Sequence, residues 1–366
     1  MTVLETMPVV APANAKKMGS PRLPMEIILH IIEAIVPGSP DALLRRDDPR
    51  SRLLLSFTLV CRSTYLVATR LLRRHSASVE SSSQLSRFLL TLDRPTHCPD
   101  PALSWKNITS LYLAPFGDVL DDPAVAHQTR ELLRHTADTL RRLVIHMPFS
   151  TLPRVDDHNN VRQTLREGFE SLLDLEEFVC LSDYPDLSTS SATTDIWALW
   201  PKLKRLMLFH VPLADHWLWW NIAHLRNLEF VWFMEPKPGI YAPLRVNVKE
   251  VYFNTMPRDS PNLKKKFTVA VAGGWYTEDI YLMSKWDELD PDECMTFRFF
   301  GQGLPDDVGT IRRKWLAKNI ENGSLWDLDV VSRYMAGGGK SHARGPGGKD
   351  LGDLVLPRLF PGWRYQ

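Results

Sequence analysis

The glycine-rich run Gly337–Ser341 comes nearest, by residue type, to a known chemical site. Glycines followed by a lysine and a serine suggest a loop whose backbone N–H groups surround a phosphate. That motif also requires a glycine five residues before Gly339, and Tyr334 occupies this position. Further glycines up to Gly348 would interrupt any helix that could direct its N-terminus at a phosphate. We therefore interpret residues 337–348 as a flexible loop and expect no cofactor.

Other residue types that could perform catalysis lack the spacing that catalysis requires. His210, His216 and His224 lie closest together among the histidines, but no cysteine or paired carboxylate accompanies them as a metal ligand. No G-x-S-x-G motif is present to supply a nucleophilic serine. Paired acids such as Asp121-Asp122 precede predicted helices or turns, where capping explains them. We predict no catalytic residue and no metal site, so the chain is not expected to be an enzyme.

Composition excludes several other functional classes. A formal net charge of +1 over 366 residues lacks the basic excess of a general nucleic-acid binder. Nucleic acid is therefore not an expected partner. No apolar run approaches the length of a membrane span, so a membrane is not an expected partner either. Four widely separated cysteines without a C-x-x-C pair indicate a reducing compartment, the cytoplasm or the nucleus. Residues 1–20 are rich in proline and alanine and are interpreted as a disordered leader.

The stretch from Leu23 to Ile35 is predicted to form an unusually apolar helix. Pro24 suits the first position of a helix, and Pro37-Gly38 would end it. On a helical wheel the isoleucines and leucines cover about twice the ~100° stripe that a surface helix needs for one neighbour. Such a helix is either internal, or packs on its own domain with one side and on a second protein with the other.

Two further apolar helices are predicted at residues 53–62 and 63–75. The pattern Leu-Pro-x-Glu-Ile-Ile-x-x-Ile, a linker, Leu-x-Leu-Val-Cys-Arg and an amphipathic helix resembles the F-box of fungal-type F-box proteins. The resemblance covers residues 21–75. Two features depart from the family: the loop at 37–52 is long, and Thr64 stands where an aromatic often follows, with Tyr65 one place later.

The resemblance implies a three-helix module that binds a Skp-type adaptor and, through it, the cullin of a ubiquitin ligase. The family's adaptor contacts transfer to the Leu-Pro start, to the aliphatic side chains of the first helix, and to positions around the Val-Cys-Arg run. In this sequence they are Leu23, Pro24, Ile27, Ile28, Ile31, Leu55, Val60, Cys61 and Tyr65.

Residues 76–104 are predicted to be a connector with a short helix, and residues 105–254 contain an irregular repeat. Six segments share the spacing L-x-x-L-x-L, with helix-like stretches at 122–138, 160–173 and 214–225. A strand followed by a helix at this period resembles a degenerate leucine-rich repeat, in which parallel strands stack along a solenoid. An ordinary α/β domain is the alternative. The segments are Ile108/Leu111/Leu113, Leu140/Leu143/Ile145, Leu175/Phe178/Cys180, Leu203/Leu206/Leu208, Leu228/Val231/Phe233 and Val248/Val251/Phe253.

Strand alternation then defines a second face of the predicted sheet. An apolar row on this face would lie beside a mostly charged row that includes Arg142, Glu177 and Arg205. An apolar row either binds a partner or is covered by the chain itself, and covering by the C-terminal third is slightly favoured. If the row is open, the candidate target-binding residues are Tyr112, Met207, Trp232 and Tyr252, with Trp232 the best single candidate.

The last third of the chain, residues 255–366, no longer keeps the repeat and is predicted to pack on it. Residues 267–271 and 295–299 alternate like strands, and residues 306–319 resemble a helix. The predicted fold class is therefore α/β or α+β: an N-terminal three-helix module, an irregular solenoid of parallel strands and intervening helices, and a C-terminal extension.

The preferred function is the substrate-recognition subunit of an SCF-type cullin-RING ubiquitin ligase. Its N-terminal helices would bind the Skp-type adaptor, and its repeat region would capture an unidentified target protein for degradation. One alternative is a leucine-rich-repeat-like scaffold whose N-terminal helices merely cap the solenoid. Another is an α/β enzyme with a site at the strand ends.

Overall fold

The computed structural model describes residues 23–36, 42–93, 108–152, 157–189, 193–237, 247–272, 286–300 and 310–327. The predicted leader at 1–20, the glycine-rich loop at 337–348 and the C-terminal tail lie outside these residues. The helices of the described residues are α1 (Met25–Ile35), α2 (Pro49–Phe57), α3 (Arg62–His75), α4 (Ser82–Asp93), α5 (Pro123–Thr136), α6 (Val161–Glu170), α7 (His216–His224), α8 (Val248–Phe253), α9 (Trp286–Leu289) and α10 (Thr310–Asn322). The strands are β1 (Ser78–Val79), β2 (Ser110–Leu113), β3 (Arg142–Ile145), β4 (Glu177–Cys180), β5 (Arg205–Phe209), β6 (Phe230–Met234), β7 (Phe267–Ala272) and β8 (Met295–Phe300).

The eight strands form one open sheet in which every neighbouring pair is parallel. Their order in the sheet is their order in the chain. The register is regular, since Leu111 of β2 pairs with Leu143 of β3, which in turn pairs with Phe178 of β4. Parallel neighbours need a crossover connection, and a helical segment lies between each consecutive pair of strands. The α/β prediction with parallel strands is confirmed.

One face of the sheet packs on these connecting helices. The inward positions of the first five predicted repeat segments are all buried in a single apolar core between the sheet and α5 to α8. Gly168 lets α6 lie close to α5, because a Cβ atom at this position would be 2.9 Å from the Cα of Arg130. The predicted helices at 122–138, 160–173 and 214–225 correspond to α5, α6 and α7.

The opposite face of the sheet is covered by α10 and the residues that follow it. Leu316, Ile320 and Leu325 pack on the apolar row of the strands, together with Leu43 from the N-terminal region. The backbone N–H of Leu43 also donates to the carbonyl of Ile320 (3.4 Å). The prediction that the C-terminal third covers this face is therefore confirmed for the described residues.

Helices α1, α2 and α3 form a separate small bundle with its own core of Ile32, Leu44, Leu54 and Ala68. The bundle is joined to the sheet through the end of α3. The carbonyl of His75 accepts from the N–H of Leu44 (2.6 Å), and its Nδ1 lies 3.1 Å from the Ala42 carbonyl. Only Ser76 and Ala77 separate α3 from β1, so the bundle is positioned directly beside the first strand.

Two predicted boundaries differ from the structure. Ser78 and Val79 pair with Tyr112 and Leu113, so the sheet begins inside the predicted connector. Strands β7 and β8 continue it beyond residue 254, where the repeat was predicted to end. Their alternating segments were recognised as strands, but their spacing from β6 did not match the repeat.

The sixth predicted strand is wrong, because residues 248–253 form α8. The side chain of Asn247 accepts a hydrogen bond from the N–H of Glu250 (3.2 Å) and starts this helix. One helical turn then buries Val248 and Tyr252, which are four residues apart, in the core beside the connecting helices, although strand alternation had placed Tyr252 on the opposite face. Within the described part of the chain, no helix has both the length and the apolar character of a membrane span.

Candidate functional site

The three-helix bundle leaves a set of large apolar side chains exposed, which we call the N-terminal apolar surface. Residues spaced four apart in α1 divide between two sides: Ile28 and Ile32 face the bundle core, whereas Ile27 and Ile31 each keep 45% of their surface exposed. The turn between α2 and α3 adds the most accessible members, Leu59 (87% exposed) and Val60 (65%). The whole surface consists of Leu23, Met25, Ile27, Ile31, Leu53, Leu55, Leu59 and Val60.

Local hydrogen bonds fix the two helices that meet at this turn. Asp48 caps α2 by accepting from the N–H of Arg50 (2.7 Å), and Pro49 occupies the first turn. At the start of α3 the N–H of Cys61 donates to the hydroxyl of Thr64 (3.1 Å). The hydrogen bond with the Thr64 side chain also holds the pKa of the exposed Cys61 thiol below its usual value. Thr64, which replaces the expected aromatic, is thus a buried capping residue.

Seven of the nine predicted adaptor-binding residues are exposed, and two are not. Ile28 is half-buried in the bundle core, and Tyr65 is half-buried on α3. The sequence-based assignment missed Met25, Leu53 and Leu59, which are exposed beside it. Leu59 follows the last turn of α2, where a helical pattern alone cannot indicate on which side a side chain lies. The exposed residues of the assignment are Leu23, Pro24, Ile27, Ile31, Leu55, Val60 and Cys61.

The predicted target-binding residues do not form an open surface on the sheet. Met207 and Trp232 are fully buried beneath the C-terminal segment, and Tyr112 is half-buried at the edge of the same cluster. Tyr252 belongs to the opposite core, where its ring contacts Trp219 and Phe267. The assignment of Met207, Trp232 and Tyr252 as accessible binding residues is therefore wrong, because α10 occupies one face and α8 is a helix.

The charged row on the covered face is paired within the sheet. Arg142 of β3 forms a buried ion pair with Glu177 of β4, and Nε of Arg205 of β5 lies 3.4 Å from the second Glu177 oxygen. The guanidinium of Arg205 also lies 5.7 Å from the ring centre of Trp326. Arg142 and Glu177 are buried by this packing, whereas the Arg205 side chain keeps 29% of its surface exposed beside Trp326.

A cleft of about 1090 Å³ opens at the carboxyl ends of strands β3 to β6. It is lined by the segments that follow these strands, the usual position of binding sites in parallel sheets. On its floor, Nε1 of Trp197 donates to the Tyr184 hydroxyl (3.2 Å), and Nδ2 of Asn221 donates to the Asp195 carboxylate (2.9 Å). Burial, followed by repulsion from Asp186, raises the pKa of Asp195.

Two residues at the ends of neighbouring strands adopt left-handed backbone conformations, His210 in the lining of this cleft and Glu235 beside it. His210 (φ 55°) directly follows β5, and Glu235 (φ 46°) directly follows the adjacent β6. The imidazole of His210 lies 3.6 Å from an Asp183 oxygen and 3.5 Å from a Glu235 oxygen. A left-handed conformation is unfavourable for residues other than glycine, and neighbouring examples often mark functional positions. A second cleft of about 310 Å³ shares Asp183 and His210 with the first.

The cleft does not resemble a metal centre or a known catalytic triad. In the described ranges, no group of three or more histidine, cysteine or acidic residues is arranged to hold a metal ion. His210 lies between two carboxylates, but no serine or cysteine nucleophile is placed against it in the contacts described. The geometry is that of a polar binding cleft with an aromatic wall.

No model of a known protein family matches this chain, and no curated protein matches it in sequence.

Proposed function

We propose that the chain is the substrate receptor of an SCF-type ubiquitin ligase, with the N-terminal apolar surface as its docking site for a Skp-type adaptor. The observation that carries this proposal is the exposure of eight large apolar side chains on one three-helix module. Clustered exposed apolar side chains are typical of interaction sites. Here Ile27 and Ile31 lie one turn apart on α1, and Leu59 and Val60 are adjacent in the turn between α2 and α3. Seven of the nine residues that the F-box resemblance assigns to the adaptor are exposed on this module.

The rest of the fold supports a receptor with a leucine-rich-repeat-like body. Parallel strands that follow one another in chain order, with helices on one face, are the arrangement that a repeat solenoid requires. The bundle is attached to the first strand by a two-residue connection and by the hydrogen bonds of His75 and Leu44. A short, well-bonded attachment would hold a bound target at a defined distance from the ligase and raise its effective concentration there.

The scaffold alternative is favoured by a specific contact. Leu43 and Ala42 belong to the N-terminal region, yet Leu43 packs in the core beneath α10 and Ala42 is fully buried. This is the behaviour expected of a cap on the sheet. Deleting residues 1–75 would therefore damage the body under either hypothesis, so point substitutions on the exposed side of α1 are the better discriminator.

Affinity purification of the full-length chain, read by mass spectrometry, tests the proposal. A receptor should recover a Skp-type adaptor and a cullin in amounts comparable to the bait, because the adaptor links the two. Recovery of neither protein, with the folded chain in the eluate, would favour the scaffold. The enzyme alternative would be revived by a shift in melting temperature with a metabolite, because a ligand that binds the folded state raises its stability.

A further inference from the structure

The proposed function leaves open where a target protein binds, and the covered sheet face excludes the surface that strand alternation had indicated. The 1090 Å³ cleft at the strand ends is a separate concave site that lies away from the covered face. Its volume exceeds the usual range of about 300–1,000 Å³ for small-molecule sites, and is large enough for several residues of a peptide.

One wall of the cleft carries two tryptophans, Trp217 and Trp220, that are not part of the buried core. Trp217 lies in the first turn of α7 and keeps 66% of its surface exposed. Trp220, one helical turn further on, is half-buried, and the two ring centres are 6.3 Å apart at an angle of 75°. The third tryptophan of this helix, Trp219, is fully buried, and its indole donates to the carbonyl of Leu213 (2.7 Å). The helix thus presents one indole to the core and two to the cleft.

Carboxylates outnumber cations around these rings. Asp183, Asp186, Asp195 and Asp215 line the cleft, whereas Arg162 and Lys237 are its only lysine or arginine residues in the described segments. The buried guanidinium of Arg162 donates to the carbonyls of Asp186 and Leu152 and lies 3.7 Å from the Asp186 carboxylate. It therefore offsets that charge and leaves Asp183, Asp195 and Asp215 in excess. Lys237 is exposed at the rim.

The negative charges also act on one another. Asp186 and Asp215 both raise the pKa of Asp195, after the larger effect of burial. A cation placed in the cleft would relieve this repulsion. Tryptophan faces attract cations as well, and guanidinium groups stack on them in particular.

We propose that this cleft binds a basic segment of the target protein, with an arginine side chain stacked on Trp217 and paired with the carboxylate of Asp215. Only one part of this proposal rests on the proposed receptor function, namely that the bound segment belongs to a target protein. The cleft itself should bind such a peptide in the isolated chain, with or without an adaptor.

Fluorescence anisotropy with labelled hexa-arginine and hexaglutamate peptides tests the proposal on the full-length chain at low salt. Trp217→Ala should weaken hexa-arginine binding about fivefold, and Trp217→Phe should restore most of the loss because it retains an aromatic face. Asp215→Asn should weaken binding two- to fivefold while leaving α7 capped, since asparagine is an equally good N-cap residue. The matched control is Asp122→Asn, which alters an exposed carboxylate that caps α5 through Val125, away from the cleft. It should leave the affinity unchanged.

Three results would overturn the proposal. They are absence of hexa-arginine binding to the wild type, equal binding of hexaglutamate, and an equal affinity of wild type, Trp217→Ala and Asp215→Asn for hexa-arginine. The last result would place any binding elsewhere on the surface. Adaptor recovery by the same variants separates this proposal from the receptor assignment, because cleft variants should still recover the adaptor and α1 variants should still bind the peptide.

Discussion

Replacing Ile27 and Ile31 by aspartate should abolish adaptor binding without unfolding the chain. Both side chains lie on the outer side of α1, with 45% of their surface exposed. Complete burial of an isoleucine contributes roughly 1.5–3 kcal/mol, so covering the exposed part contributes about 0.7–1.4 kcal/mol for each residue. Loss of both contacts therefore weakens the complex by roughly 10- to 100-fold. Each aspartate adds the cost of removing a carboxylate from water, several kcal/mol, which should bring binding below detection.

The assay is isothermal titration of purified wild type and Ile27→Asp/Ile31→Asp with a Skp-type adaptor, accompanied by thermal melting. A double substitution of Val119 and Leu173 by aspartate is the matched control, because these residues are at least as exposed as Ile27 and Ile31 but lie outside the bundle. Ile28 is avoided because it packs in the bundle core, where a carboxylate would destabilise the module itself. Wild-type affinity in the α1 variant would refute the docking assignment, whereas equal loss in the control would indicate a general effect of added charge.

Three further predictions concern other parts of the chain. The exposed Cys61 should react with a maleimide at pH 8 and be protected by the adaptor, while burial raises the pKa of Cys180 to about 12 and should leave it unreactive. Peptide mapping that finds Cys61 equally labelled in the complex would contradict its place at the interface. Glu177→Gln should lower the free energy of unfolding by about 3–5 kcal/mol in urea titrations, because it leaves the buried Arg142 without its ionic partner. Glu131→Gln, at a more exposed ion pair, should cost less than about 1 kcal/mol, and similar losses in both would be inconsistent with this reasoning. Burial lowers the pKa of Lys265 to about 7 in the folded chain, against about 10.4 when unfolded. The unfolded state then binds more protons between these values, so wild-type stability should gain from this residue as pH rises from 7 to 10. Urea titrations of Lys265→Met should show a smaller rise, and an unchanged slope would contradict the assignment.

The strands and their connecting helices were predictable because each apolar position of the repeat points into the same core. In β2 to β6 the L-x-x-L-x-L positions all enter one core, so the spacing alone locates the strand and its buried face. Residues 248–253 fit the same spacing by coincidence, since as a helix they still bury Val248 and Phe253 in the core and pack Val251 against it. Local pattern cannot separate the two structures when a segment is only six residues long.

The sequence indicated that the second face of the sheet would be covered, but it did not indicate which residues would cover it. An apolar row of Val144, Val179, Met207 and Trp232 requires cover, and the C-terminal third was the available chain. Which residues provide the cover depends on contacts between segments more than 80 residues apart, such as Leu316 on the strand face. Short-range periodicity carries no information about such contacts.

The strand-end cleft was not predictable from motifs. Its carboxylates come from three separate segments that parallel topology brings to one edge of the sheet. Paired acids were interpreted as helix caps, and Asp122 does cap α5. Asp215 is an unpaired acid that caps α7, a role that this interpretation did not cover. Asp215 also lines the cleft, so its capping role and its proposed binding role coexist. Trp217 lies two residues after the cap Asp215 and is exposed, and its place in the cleft depends on how α7 packs on the sheet.

Hydrogen–deuterium exchange of the full-length chain, with and without a Skp-type adaptor, tests the central claim most directly. Binding slows exchange where it covers the surface or suppresses local opening. We expect protection in α1 and in the turn between α2 and α3, around Leu59 and Val60, with exchange at the strand-end cleft unchanged. Formation of no complex, or protection confined to residues beyond 75, would contradict it.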